Sequence, residues 1–117
     1  MRTILAIAAF ALAGAAHAET CTFDTECFDG DGCAETEFEA TLGNDGDGNS
    51  VLSTISEDVT GETVTGEGGE HSVFTGIGPG AMHLLTRTAD GTARYTVHLL
   101  EGPMAITYLG ACKADEG

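Results

Sequence analysis

Residues 81–112 read AMHLLTRTADGTARYTVHLLEGPMAITYLGAC, and the strand pattern of the chain is clearest here. Apolar and polar side chains alternate in short runs, the period-two pattern of strands with one buried face. Asp90-Gly91 is the strongest two-residue hairpin signal, and Glu101-Gly102 marks a second turn. A two-residue turn at Asp90-Gly91 sets Thr88 opposite Ala93, Arg87 opposite Arg94, Leu84 opposite Val97, His83 opposite His98 and Met82 opposite Leu99. Met82, Leu84, Tyr95, Val97 and Leu99 then share one face, and His83, Arg87, Arg94, Thr96 and His98 the other. A three-residue loop would shift the register by one and mix the two sets, so patterning favours the shorter turn. The turn at Glu101-Gly102 sets Leu99 opposite Met104, Val97 opposite Ile106 and Tyr95 opposite Tyr108. The same face stays apolar across three strands. The predicted core of this sheet is Met82, Leu84, Tyr95, Val97, Leu99, Met104, Ile106 and Tyr108.

The rest of the chain follows the same pattern. Seventeen glycines and many threonines and valines disfavour helices. Runs at 20–27, 35–42, 50–57, 62–65, 71–75, 81–88, 92–100 and 104–111 read as strands, joined by glycine-rich links. The fold class is therefore all-β: a small antiparallel meander of about eight strands that closes as a barrel or folds as a sandwich. In the second run Glu35, Glu37 and Glu39 alternate with Phe38, Ala40 and Leu42. Three carboxylates should line the outer face while the apolar set turns to the core.

Residues 1–18 read as a signal peptide and 19–117 as a single β domain. Arg2 supplies the positive start, ILAIAAFALAGAA the apolar stretch and Ala16-His17-Ala18 the small-residue cleavage site. Thirteen apolar residues extend about 20 Å as a helix, short of the roughly 30 Å of a bilayer core. A lipoprotein would need cysteine directly after the cut, where Glu19 stands, so no membrane anchor is expected after cleavage. The destination is periplasmic or secreted. All four cysteines lie beyond the cut, an even number suited to an oxidising compartment. Their spacing is not that of a zinc knuckle. Of three possible connectivities, Cys21–Cys112 with Cys27–Cys33 is favoured. The first pair would join the opening and closing strands, and the second would staple a local acidic turn.

The full chain carries a formal charge of −15, and loss of Arg2 makes that −16. Residues 19–70 hold fifteen acids and no lysine or arginine. That composition disfavours a nucleic-acid partner, which needs cations; it would steer a cationic partner, such as a basic protein, or divalent cations towards the N-terminal half, or else simply keep an exported protein soluble. Two alternatives involve metals. His83 and His98, facing each other with Cβ atoms about 4.5–5.5 Å apart, would suit Zn²⁺ or Cu²⁺, with His71 or a glutamate as a third ligand. Two exposed histidines on a solvated face is the plainer reading. Asp45, Asp47 and Asn49 resemble the start of a Ca²⁺ loop, but Ser50 and Ser56 stand where glycine and glutamate are required. No cofactor is expected, and the absence of nucleophile, zinc-protease or phosphate-loop motifs argues against an enzyme. Arg87 facing Arg94 would need a carboxylate between them, from Asp90 or the acidic half of the chain.

Three segments carry a resemblance: Cys21 in TCTF, Gly91-Thr92-Ala93-Arg94-Tyr95, and Tyr108-Leu109-Gly110-Ala111-Cys112. Together they resemble the periplasmic C-type lysozyme inhibitors of Gram-negative bacteria. The resemblance implies a small antiparallel barrel with a disulfide between its early and final strands. It also implies a partner-binding segment at Asp90, Gly91, Arg94 and Tyr95, with Asp90 where that family carries serine. The family's tryptophan and its lysine-glycine segment have no counterpart. The resulting expectation is an exported, non-enzymatic binding module, an inhibitor of a basic hydrolase such as lysozyme. The alternatives are a divalent-metal-binding periplasmic protein and an accessory envelope protein.

Overall fold

The computed structural model describes residues 18–114. The expected signal peptide, save Ala18, lies outside them. Eight antiparallel strands follow one another around a closed barrel: β1 (Glu19–Phe28), β2 (Gly32–Asn44), β3 (Ser50–Ser53), β4 (Asp58–Thr65), β5 (His71–Ile77), β6 (Ala81–Thr88), β7 (Thr92–Leu99) and β8 (Met104–Ala114). Each pairs with its sequence neighbours, and β8 returns to β1. The expected meander and barrel are therefore present. So are both favoured disulfides, Cys21–Cys112 across the β1–β8 seam and Cys27–Cys33 across the β1–β2 hairpin. Covalent closure of this kind fits an oxidising compartment. Among the described residues no helix is long and apolar enough to cross a membrane.

The third expected strand is cut short. Its run was expected to continue through Glu57, but Thr54 ends it by a side-chain-supported turn. The Thr54 hydroxyl accepts from the Ser56 and Glu57 amides, and the Thr54 amide donates to the Glu57 carbonyl at 2.9 Å. Threonine offers the backbone this alternative to the ladder. As a result β3 pairs with β2 only from Thr41↔Ser53 to Asn44↔Ser50.

The β7–β8 register is as expected, with Tyr95 opposite Tyr108, Val97 opposite Ile106 and Leu99 opposite Met104. The β6–β7 register is not. The connection has three residues, Ala89, Asp90 and Gly91, with the Gly91 amide donating to the Thr88 carbonyl and Gly91 at φ +95°. This is the three-residue hairpin with glycine in the left-handed position. Every pair moves by one: His83 faces Val97, Leu84 faces Thr96, Leu85 faces Tyr95, and Arg87 faces Ala93. His83 and Leu85 turn inward in place of Met82 and Leu84. Met82 and Met104 are exposed, whereas Tyr95 and Tyr108 are buried and Val97 and Ile106 pack against the core.

An aromatic column fills the barrel. Phe38 stacks on Tyr108 at 4.5 Å, Tyr108 on Tyr95 at 5.6 Å, and Tyr95 on the His83 ring at 5.9 Å. Phe23 tilts against Phe38, Tyr95 and Tyr108. Offset pairs of this kind contribute about 0.5–1.5 kcal/mol each beyond their buried area. Small residues make room for the column. Beside Phe23, Gly110 brings β8 so near β1 that a Cβ there would lie 2.0 Å from the Thr22 carbonyl oxygen.

Candidate functional site

β2 outruns its neighbour. Residues 32–35 and 38–40 pair with β1, with an irregularity at Thr36 and Glu37, and none of residues 32–40 has a β3 residue on its other side. Glu35, Glu37 and Glu39 stand exposed on the outer face of this segment, while Ala40 is buried and Phe38 and Leu42 pack on the core, as the alternation requires. A groove of about 420 Å³ lies where β3 leaves β2, beside the paired Thr41 and Ser53. Glu37, Phe38 and Glu39 form one wall, and Ser53, Thr54 and Ile55 form the other. Ile55 is 95% exposed at the tip of the turn that truncates β3. The Cys27–Cys33 bond ties the far end of the same hairpin, and the Asp29 carboxylate accepts from the Ala105 amide on β8. Local covalent and polar ties thus hold this edge where β3 does not.

The two ends of the barrel differ. The end bearing the β3–β4, β5–β6 and β7–β8 turns exposes Ile55, Ile77, Met82, Leu100 and Met104. The Leu100 amide donates to the Gly80 carbonyl there, joining two of the turns. The opposite mouth is polar, a depression of about 440 Å³ lined in part by Glu19, Ser50, Thr63 and Arg87. Arg87 Nε donates to Glu19 Oε1 at 2.9 Å. The carboxylate that Arg87 needs therefore comes from the acidic half of the chain. Arg94 faces Thr86 on the outer surface, so the expected arginine pair does not form.

Inside, His83 is 2% exposed and its Nδ1 lies 2.7 Å from the Tyr95 hydroxyl. Nε2 has no hydrogen-bond partner and sits 3.5 Å from Glu57 Oε2. A phenol donating to Nδ1 leaves the imidazole proton on Nε2, facing the carboxylate. Burial lowers the His83 pKa, and the Glu57 charge opposes that shift without reversing it. Burial raises the Tyr95 pKa strongly, and Tyr108 is pushed up to about 12 by burial and the Glu26 carboxylate. These groups keep their neutral forms at ordinary pH. The composition of the chain showed none of this cluster. Its only signal was Ala89 before Asp90-Gly91, which fits a three-residue loop as well as a two-residue one.

The expected site residues are scattered. His83 points into the barrel, while His98 lies outside, opposite Met82, so the two cannot share an ion. His71 is exposed near the other end of β5. Asp45 spends its carboxylate on its own loop, accepting from the Asp47 and Asn49 amides at 2.8 and 3.0 Å and from the Asn49 side chain. Those bonds lower its pKa. Among the described residues only Glu19, Cys21 and Cys112 gather three potential ligand atoms, and there both sulfurs are bonded to each other. Asp90 likewise caps its own turn. It accepts from the Thr88 hydroxyl and the Thr92 amide, which hold its carboxyl down to about 2. Gly91 and Arg94 are within reach of solvent, but Tyr95 is 2% exposed with its hydroxyl committed to His83. It cannot present itself to a partner as the sequence expectation had it. Comparison with family models, curated proteins and solved structures gives no match.

Proposed function

We propose that this chain is an exported, non-enzymatic binding module for a basic protein, and that it inhibits a basic hydrolase such as lysozyme. The carrying observation is the carboxylate row Glu35, Glu37 and Glu39, exposed along a strand edge that no other strand covers. The charge of the chain points the same way. Fifteen acids and no lysine or arginine lie in residues 19–70, so the field on this side of the barrel speeds encounters with a cationic surface. Export to the periplasm or beyond rests on Ala16-His17-Ala18 and on two disulfides suited to an oxidising compartment. The buried His83–Tyr95 pair serves the core in this reading, because both residues are only 2% exposed.

The test is a cell-wall clearing assay with a basic lysozyme and the protein beginning at Glu19. Clearing should be inhibited at micromolar protein or below at low ionic strength, with inhibition fading as salt rises. Unchanged clearing at low salt would overturn the reading.

A further inference from the structure

We propose that the free edge of β2 takes up an extended, basic segment of the partner as an added strand, seated in the groove between β2 and the turn after β3. This deepens the reading above and rests on it. Residues 34, 35 and 38–40 pair with β1 on one side, the ladder being interrupted at Thr36 and Glu37, and no β3 residue, turn or loop among the described residues bonds to the other side. An unpaired edge is a template for a further strand: main-chain bonds supply affinity and alternate side chains supply specificity. The chemistry of the two faces defines the guest. Side chains on its outer face meet Glu35, Glu37 and Glu39, and those on its inner face enter the groove beside Phe38 and Ile55. The matching segment alternates lysine or arginine with apolar residues.

Charge selects this occupant over two others. A second copy pairing edge to edge would set one glutamate row against another, and like charges directly opposite are destabilising. An anionic membrane surface would repel the same row. The Cys27–Cys33 bond holds the hairpin before the guest arrives, which lowers the ordering cost of adding a strand.

The probe is a capped peptide of about eight residues alternating lysine and valine, the length of an ordinary strand. Its control is the peptoid with the same side chains on backbone nitrogen, equal in charge but lacking main-chain donors. The peptide should bind at low salt and slow amide exchange within residues 34–40. The peptoid should bind at least about tenfold more weakly, since it loses several main-chain bonds. I55S should weaken the peptide roughly tenfold. Ile55 is 95% exposed, so this variant keeps the barrel intact. Equal binding of peptide and peptoid, or protection falling instead on the apolar end around Ile77, Met82 and Leu100, overturns the edge proposal. Lysozyme inhibition that persists while the peptide fails overturns the edge alone. Failure of both at low salt overturns the binding reading with it.

Discussion

His83 is the residue on which burial, hydrogen bonding and charge all meet. Its ring is sealed in the barrel with Tyr95 on one nitrogen and Glu57 3.5 Å from the other, and burial depresses its pKa. Protonation would make Nδ1 a donor and strand the Tyr95 hydroxyl proton without an acceptor. The unfolded chain, with an ordinary histidine near 6.5, takes up the proton first as pH falls. The stability that His83 contributes is therefore complete above about pH 6.5 and is lost below it, by up to about 1.4 kcal/mol per pH unit. H83Q, which can still accept from Tyr95, should lose that dependence, so urea midpoints of the two proteins should converge between about pH 7 and 5. Parallel midpoints would contradict the buried neutral histidine. Y95F should cost about 1–3 kcal/mol, because it leaves Nδ1 buried without its donor. At this scale the sequence was readable only where alternation alone decides a side. Glu35, Phe38 and Ala40 fell on their proper faces because no turn intervenes. His83 did not, because its side depends on whether Ala89 belongs to a strand or a loop, a choice of one residue that inverts a whole face.

Elements were more legible than faces. Eight strands appeared close to their expected places because glycine, asparagine and aspartate punctuate the runs, and turn chemistry is local. The same locality explains the failures. Asp90-Gly91 was recognised as a turn, but its loop length is settled by packing: Gly91 at φ +95° lies against the end of β8, where its carbonyl accepts from the Cys112 amide at 2.7 Å. A Cβ at Gly91 would sit 2.9 Å from the Cys112 carbonyl oxygen. G91A combines that crowding with a backbone conformation that alanine resists, and should cost about 1–3 kcal/mol in urea unfolding. Truncation of β3 was hidden because Ser50, Val51, Leu52 and Ser53 run into Thr54 and Ile55 without glycine or proline. Thr54 stops the strand with a hydroxyl, and that stop creates the open edge of β2. The hairpin that bears this edge has its own brace. Replacing Cys27 and Cys33 with serine opens a loop of only 6 residues in separation, so the loss should be modest, about 2 kcal/mol. Binding of a basic partner should weaken more than that stability change suggests, because the edge is no longer held straight. Unaltered affinity in that variant would separate the brace from the binding face.

The whole molecule is a barrel closed twice, by the β1–β8 ladder and by a disulfide spanning 91 residues. A loop of that length constrains the unfolded chain by about 4–5 kcal/mol, a sizeable share of the stability of a domain this small. C21A/C112A should therefore unfold at much lower urea than C27S/C33S, and a reversed order would contradict the closure argument. The charge pattern also acts at this scale. Arg87 offsets Glu19 alone, and the other fourteen acids of residues 19–70 have no lysine or arginine in their own half of the chain. Composition made that acidity plain, and alternation placed Glu35, Glu37 and Glu39 outside. The unpaired edge beneath them needed the three-dimensional pairing. The measurement closest to the central claim is calorimetric titration of the protein beginning at Glu19 with a basic lysozyme at two ionic strengths. Binding should be saturable at low salt and weakened at least tenfold near about 0.3 M salt, where screening shortens the reach of surface charges. Heats no larger than dilution at low salt, or an affinity indifferent to salt, would contradict that claim.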